Sequence, residues 1–378
     1  MAKLYNVNTF KRAAKKRLPA PIYHYMAGGA DDEIALRENI SAFDHYHLMP
    51  KQLRDVSVIN TKSKILGKEV AAPLILSPTG MSRLFHHDKE FAVAKAAEKA
   101  GLYYGLSTMA STSIEQISDV SAGPKMFQIY ILRDRGLTTE FVERCKASKF
   151  DALCLTVDTA MAGNRERDIV HGLTIPPKFG LKSLLSFASC PYWSLNFLLN
   201  PRLRLENVIH RVDAIKDGNM GLMKYVNDQF DRSVTWDDVA WLASQWEGPL
   251  VIKGVQSKED ALLAKKAGAT ALMISNHGGR QLESAPAAVD CVRPIRDAVG
   301  SDLELIVDGG VRRGNHVAKA LALGADACSI GRPYLYGLAA NGQSGVEQVL
   351  NILISELKRT MTLMGCRDVS DLDETFLS

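Results

Sequence analysis

Short apolar runs rich in branched residues recur from residue 73 to residue 331, each followed by a polar or glycine-containing loop and then by a helical pattern. This alternation specifies a parallel sheet, because strands buried on both faces read as near-continuous hydrophobic runs and each parallel crossover needs a helix. The candidate strands are 73–77 (PLILS), 102–106 (LYYGL), 126–130 (MFQIY), 152–157 (ALCLTV), 249–253 (PLVIK), 271–275 (ALMIS), 304–308 (ELIVD) and 327–331 (ACSIG). Eight such strands with intervening helices predict an α/β fold, a TIM (β/α)8 barrel. The connectors DKEFAVAKAAEKAG, SKEDALLAKKAG and RGNHVAKALALG carry apolar residues at helical spacing and end on the glycine that turns the chain back into the sheet.

A barrel of this length makes the 378 residues one domain, where length alone would suggest two or three. Residues 1–70 are expected to form an N-terminal helical cap, with helices near 8–17 and 31–40, the second opened by the Gly28-Gly29 turn and Asp31. Residues 71–340 form the barrel and 341–378 a C-terminal helical segment. A long insertion after strand four, about 160–245, breaks the rhythm, and insertions after a barrel strand lie over the active-site face. From Ile169 to Leu205 there is no Asp or Glu, while Lys178, Lys182, Arg202 and Arg204 flank FGLKSLLSFASCPYWSLNFLLNP. An apolar, aromatic segment with only basic charge predicts a peripheral membrane contact through about 178–204; a lid or an oligomer contact is the alternative.

The net charge of +4 and pI near 8.6 are too mild to imply nucleic-acid binding. The six cysteines are scattered, with no CxxC, which predicts reduced thiols in a cytosolic compartment and no metal site. Lys11, Arg12, Lys15, Lys16 and Arg17 precede no apolar core of a signal peptide and read as a solvated helix face. No run is long enough to cross a bilayer, the C-terminus carries no peroxisomal or prenylation signal, and no fused haem domain is expected.

Polar residues cluster just after the strands, at the end where barrel enzymes place their active sites. Strand one runs into Pro78-Thr79-Gly80 and strand two into Ser107-Thr108-Met109. Strand three carries Gln128 and Tyr130, and strand four ends at Thr156 and Asp158, with Arg165 beyond. Strand five ends at Lys253 and strand six runs into Ser275-Asn276-His277-Gly278-Gly279-Arg280. Asp308-Gly309-Gly310-Val311-Arg312-Arg313 and Gly331-Arg332 suit a phosphate, of a cofactor or of a substrate, since glycines admit the backbone and guanidinium groups neutralise the charge.

SNHGGRQLE at 275–283, together with LTVDT at 155–159, VIKG at 251–254, DGGVRRG at 308–314 and IGRP at 330–333, resembles the FMN-dependent (S)-2-hydroxy-acid dehydrogenases and oxidases, from about Tyr5 to Cys366. The resemblance implies FMN as cofactor and His277 as the base that takes the substrate hydroxyl proton, a task imidazole suits by titrating near neutrality. Asp158 is then the group that stabilises the imidazolium. Arg165 and Arg280 correspond to the carboxylate-binding pair, and Tyr25 and Tyr130 to the substrate-contacting tyrosines. Lys253 corresponds to the lysine beside the flavin N1 and O2 edge. Ser107, Gln128, Thr156 and the backbone of Pro78, Thr79 and Gly80 correspond to partners of the isoalloxazine. Ser275, Asp308, Gly309, Gly310, Arg312, Gly331 and Arg332 correspond to the ribityl and phosphate site.

Met109 and Ala162 stand where glycolate oxidase has a tryptophan and a leucine, which predicts a larger pocket, and Gly80 replaces an alanine, which predicts extra space beside the flavin. The implied activity is oxidation of L-lactate or a somewhat larger acid such as mandelate, with electrons passed to a quinone or another respiratory-chain acceptor. The insertion resembles, in position, that of bacterial membrane-associated lactate dehydrogenases, so a cytoplasmic protein, peripheral on the inner face of the cell membrane, is expected, and the family resemblance implies a homotetramer. An oxidase using oxygen is the alternative. An isomerase or nucleotide dehydrogenase would share the phosphate loops without needing His277, Arg280, Arg165 and Tyr25 together, and no early GxGxxG supports a classical NAD enzyme.

Overall fold

The computed structural model describes residues 3–173, 178–200, 203–209 and 229–378. A two-stranded hairpin, β1 (Ser63–Ile65) and β2 (Lys68–Val70), precedes eight parallel strands: β3 (Leu74–Thr79), β4 (Tyr103–Ser107), β5 (Lys125–Ile129), β6 (Ala152–Thr156), β7 (Leu250–Val255), β8 (Ala271–Ser275), β9 (Glu304–Asp308) and β10 (Ala327–Ile330). They close in sequence order, with β10 pairing back onto β3. Each lies within a residue or two of its expected position, because a barrel strand is specified by its own short apolar run.

Alternation along the strands divides the core in two. Ile75, Tyr103, Met126, Cys154, Val251, Met273, Ile306 and Ala327 form one buried cluster with Ile65, Leu66 and Val70 of the hairpin, whereas the alternate strand residues belong to a larger cluster with the helices. The hairpin thus packs on the barrel's own core, and the Leu66 N–H donates to Glu304 Oε2 at 2.8 Å, at the N-terminal end of β9. Closure of that end leaves the opposite rim for chemistry. Register places Ser107 beside Gln128, Thr156 beside Lys253, and Ser275 beside Asp308, so three pairs of polar residues ring the C-terminal end.

The cap contains α1 (Val7–Arg17), α2 (Ala20–Ala27) and α3 (Ile34–Ser41). The third begins at Ile34, not at Asp31, because Asp31 and Glu33 have φ of 42° and 62°, outside the right-handed helical region. Helix α2 and the hairpin were not expected from the sequence. Around the barrel follow α4 (Lys89–Lys99), α5 (Ile114–Val120) and α6 (Arg135–Ala147). The insertion contributes α7 (Glu166–Val170), α8 (Leu181–Ser189) and α9 (Pro191–Leu199). The final helix, Arg332–Met364, breaks at Asn341 and Gly342, where Gly342 has φ of 55°. All six cysteines are free.

Helices α8 and α9 invert the usual surface pattern. Leu181, Leu184 and Leu185 of α8, and Tyr192, Leu195, Leu198 and Leu199 of α9, are all more than half exposed. The inner face is fastened: Trp193 Nε1 donates to the Leu84 carbonyl at 2.8 Å, Arg83 Nη2 donates to the Asn196 carbonyl at 3.1 Å, and the Ala20 N–H donates to Ser186 Oγ at 2.8 Å. Lys178, Lys182 and Arg204 are exposed beside these leucines, and Arg202 lies outside the described residues. Among the described residues no helix is long and apolar enough to cross a membrane.

Candidate active site

The loop after β8 carries the most demanding backbone of the rim. His277, Gly278 and Gly279 have φ of 58°, 65° and 72°, three successive left-handed residues, which glycine adopts without steric cost and histidine does not. The His277 N–H donates to Ser275 Oγ at 3.0 Å. Its Nδ1 lies 2.9 Å from Asp158 Oδ1. A carboxylate partner assigns the proton to Nδ1 and leaves Nε2 as the basic nitrogen.

Asp158 reaches this position past Gly254, where a Cβ would stand 2.7 Å from the Asp158 Cβ. Burial works against its charge, but the nearby His277 and Lys253 hold its carboxyl below the ordinary range. The Asp158 backbone carbonyl accepts from Gln281 Nε2 at 2.8 Å, joining the loops after β6 and β8.

Beneath them is a buried network. Lys253 Nζ donates to Ser275 Oγ at 2.9 Å and pairs with Asp308 Oδ2 at 3.0 Å; Asp308 also accepts from Ser275 Oγ at 2.8 Å and from Ser77 Oγ at 2.9 Å. Burial alone would favour neutral lysine, yet Asp308 and then Asp158 raise its pKa. Burial would likewise favour neutral Asp308, yet Lys253 lowers its pKa. Both groups are therefore charged at neutral pH. Ser107 Oγ donates to Gln128 Oε1 at 3.1 Å. Thr156 Oγ1, beside Lys253, is buried with no hydrogen-bond partner among the described residues.

Two guanidinium groups, those of Arg280 and Arg165, lie close to one another, and Arg165 also acts on Tyr130. Arg280 lies over the Tyr25 ring, 5.1 Å from its centroid, and its Nη1 donates to the carbonyls of Tyr25 at 2.7 Å and Gly28 at 2.9 Å. Removal from water, and then the like charge of Arg165, lower its pKa to about 10. Arg165 stands at the start of α7, its Nε 3.9 Å from Asp168 Oδ2. Among the described residues neither arginine donates a hydrogen bond to a carboxylate. Tyr130, its ionisation suppressed by burial and then by Asp158, packs edge-on against Phe230 with centroids 4.9 Å apart.

Arg312 and Arg332 lie at the β9 and β10 ends. Desolvation lowers the pKa of Arg312 against a smaller opposing effect of Tyr336, and no carboxylate among the described residues offsets it. Arg332, lowered to about 10 by desolvation, donates to the carbonyls of Met26, Gly28 and Gly278 and so ties the cap to the β8 loop. Gly309 and Gly310 make room for the cap as well: a Cβ on Gly310 would fall 1.6 Å from the Asn39 carbonyl oxygen. At Gly331 an added Cβ would meet nothing nearer than 3.7 Å.

The space expected beside Gly80 is filled. A Cβ there would lie 2.9 Å from that of Met109, so the small residue accommodates the methionine. Pro78 and Thr79 adjoin it, and Thr79 Oγ1 hydrogen-bonds the Tyr334 hydroxyl at 2.7 Å. Ala162 is exposed. Sequence reading missed Phe230, bridged to Leu132, and Asn39 of α3, which contacts the β8 and β9 loops. No local motif distinguishes either residue.

A family model described as FMN-dependent dehydrogenase matches residues 14–378. The chain belongs to that family. Among curated members it is 40% identical over 376 residues to an L-lactate oxidase from Nostoc sp., covering 98% of this chain and 97% of the relative. It is 37% identical over 373 residues to glycolate oxidase from Spinacia oleracea, covering 99% and 95%. Among solved structures, monotopic membrane protein (S)-mandelate dehydrogenase superposes with a TM-score of 0.95 at 35% identity, covering 100% of this chain and 99% of the other. A soluble mutant of the membrane-associated (S)-mandelate dehydrogenase from Pseudomonas putida gives 0.86 at 34% identity, covering 100% and 99%. This family member carries out FMN-dependent oxidation of a 2-hydroxy acid.

The rim fits FMN on its own chemistry. Among the described residues, Thr156 Oγ1 is a buried donor and acceptor without a partner, Lys253 supplies a buried positive charge beside it, and Arg312 is a desolvated guanidinium without a carboxylate. A polar ring system and a phosphate would satisfy these groups.

Proposed function

We propose that the chain oxidises L-lactate to pyruvate, or a somewhat larger (S)-2-hydroxy acid. In this reading the electrons go to a quinone or another respiratory-chain acceptor, and the protein sits as a homotetramer on the cytoplasmic face of the cell membrane. The observation that carries the chemistry is the 2.9 Å contact between His277 and Asp158, at a rim where Arg165 and Arg280 hydrogen-bond no carboxylate among the described residues.

Arg165 and Arg280 receive the substrate carboxylate, whose two oxygens suit the planar guanidinium fork. Tyr25 and Tyr130 donate their hydroxyls to substrate oxygens. His277, its Nδ1–H committed to Asp158, takes the substrate hydroxyl proton on Nε2, and the ionised Asp158 stabilises the resulting imidazolium. Bound FMN would supply the acceptor for the Cα hydrogen and its electron pair, so that loss of the hydroxyl proton to His277 and of hydride from the carbon leaves the 2-oxo acid. Lys253, Ser107, Gln128, Thr156 and the backbone of Pro78, Thr79 and Gly80 would hold its ring system. Ser275, Asp308, Gly309, Gly310, Arg312, Gly331 and Arg332 would hold its ribityl chain and phosphate. Met109, flexible where glycolate oxidase has a tryptophan, favours an acid larger than glycolate.

The outward leucines of α8 and α9, with exposed Lys178, Lys182 and Arg204, support membrane seating, since each leucine withdrawn from water contributes about 1.5–3 kcal/mol. The Nostoc relative favours a second reading, an oxidase that uses oxygen. A two-stage test separates them. Mixed anaerobically with L-lactate, wild-type holoprotein bleaches, whereas His277→Gln keeps its flavin and bleaches far more slowly; equal rates would remove His277 from the mechanism. The reduced wild type then returns to yellow faster with quinone-bearing vesicles than in air. Rapid return in air without vesicles would favour the oxidase.

A further inference from the structure

A histidine in the left-handed region, as His277 is, persists only where surrounding contacts over-determine it. At 277–279 those contacts converge on Asn276, and their outer partner comes from the cap. Asn276 Oδ1 accepts from the Gly279 N–H at 3.0 Å and from Asn39 Nδ2 at 2.7 Å. Its Nδ2 donates to Asn39 Oδ1 at 3.1 Å and to the Pro286 carbonyl at 3.0 Å. Asn39 Oδ1 also accepts from the Ala288 N–H at 3.3 Å. The two side-chain amides form a closed reciprocal pair, and both residues are buried, so no water replaces a lost partner.

Asn39 sits where three segments meet. Besides the 276–279 turn and the 286–288 segment, it packs on Gly309 and Gly310, where added Cβ atoms would fall 3.2 Å from its Oδ1 and 1.6 Å from its carbonyl oxygen. The cap thus reaches, through one residue, the loop that carries His277 and the loop that follows β9.

We propose that Asn39 is a positioning residue that, through Asn276, fixes the turn aiming the His277 ring, an inference that rests on His277 being the base. Losing its donor loosens the turn, misdirects His277 Nε2 and slows proton removal. The carboxylate grip is affected less, because Arg280 Nη1 is separately held by the carbonyls of Tyr25 and Gly28.

The test uses Asn39→Asp, which keeps the shape, removes the donor and sets two acceptors face to face. FMN-loaded wild type, Asn39→Asp, His277→Gln and the double variant are reduced anaerobically over a range of the 2-hydroxy acid that bleaches the wild type fastest. Asn39→Asp is expected to lower the limiting rate about tenfold or more while KM changes little. The double variant is expected to be no slower than His277→Gln alone. A wild-type limiting rate in Asn39→Asp, or a drop that persists in full on the His277→Gln background, would overturn the proposal. Asn39→Ser, which adds no buried charge, is read by the same criteria if Asn39→Asp does not load FMN. If His277→Gln is reduced at the wild-type rate, the base assignment fails and this inference with it. A slow His277→Gln beside a fast Asn39→Asp removes Asn39 alone.

Discussion

At the barrel rim, Lys253, Asp308 and Asp158 are withdrawn from water and matched to one another, whereas along α8 and α9 a row of leucines is left standing in it. The first arrangement stores charge where a low dielectric makes it effective. The second leaves apolar surface that a lipid interface would cover. The two regions meet through the cap: Arg332 and Asn39 tie it to the rim, and Ser186 ties it to α8. Catalysis and location are accordingly assigned to different residues, and substitutions should separate them.

The largest expected effect is at the rim. Asp158→Asn keeps the shape but removes the charge that stabilises imidazolium, and should slow anaerobic flavin bleaching about 10²–10⁴-fold while vesicle binding is retained. A bleaching rate near that of the wild type would break the assignment. Next, Arg280→Lys replaces a planar fork with a point charge and should lower kcat/KM about 10–100-fold, as steady-state assays with the preferred acid would read. Unchanged kinetics would take Arg280 out of the carboxylate grip.

Leu198→Ser tests the other region: cosedimentation with anionic vesicles should weaken about tenfold while the bleaching rate stays put. Loss of bleaching instead would mean that α9 supports the rim directly. The smallest effect is in stability. Burial holds His316 neutral, with its pKa lowered to about 4. The unfolded chain binds that proton near pH 6.5, so stability is full above this pH and declines as pH falls toward 4. Helices α8 and α9 contain no histidine or carboxylate, so the decline should be unchanged in Leu198→Ser. Melting temperatures of both proteins across this window would show it.

Much of this was legible in the sequence for a physical reason. Each barrel strand is a local apolar run, and most rim residues stand at or just after the end of one, so the strand ends display them in order, whereas Tyr25 comes from the cap and Arg165 from the insertion. What stayed hidden depends on contacts distant in sequence. The β1–β2 hairpin is too short to announce itself and is defined by packing against the barrel core. Asn39 looks like an ordinary helical polar residue until the fold sets it against Asn276, 237 residues away. Gly80 suggested empty space because a sequence does not show that Met109 leans over it. Gly309 and Gly310, read as room for a phosphate, also make room for the cap.

The most direct test of the account is the visible spectrum of the purified holoprotein, recorded without oxygen as L-lactate and then, on a fresh sample, D-lactate are added. The account predicts flavin bands that bleach with L-lactate and persist with D-lactate. Bands that persist with L-lactate, glycolate and L-mandelate alike would contradict the chemistry assigned to His277, Asp158, Arg165 and Arg280.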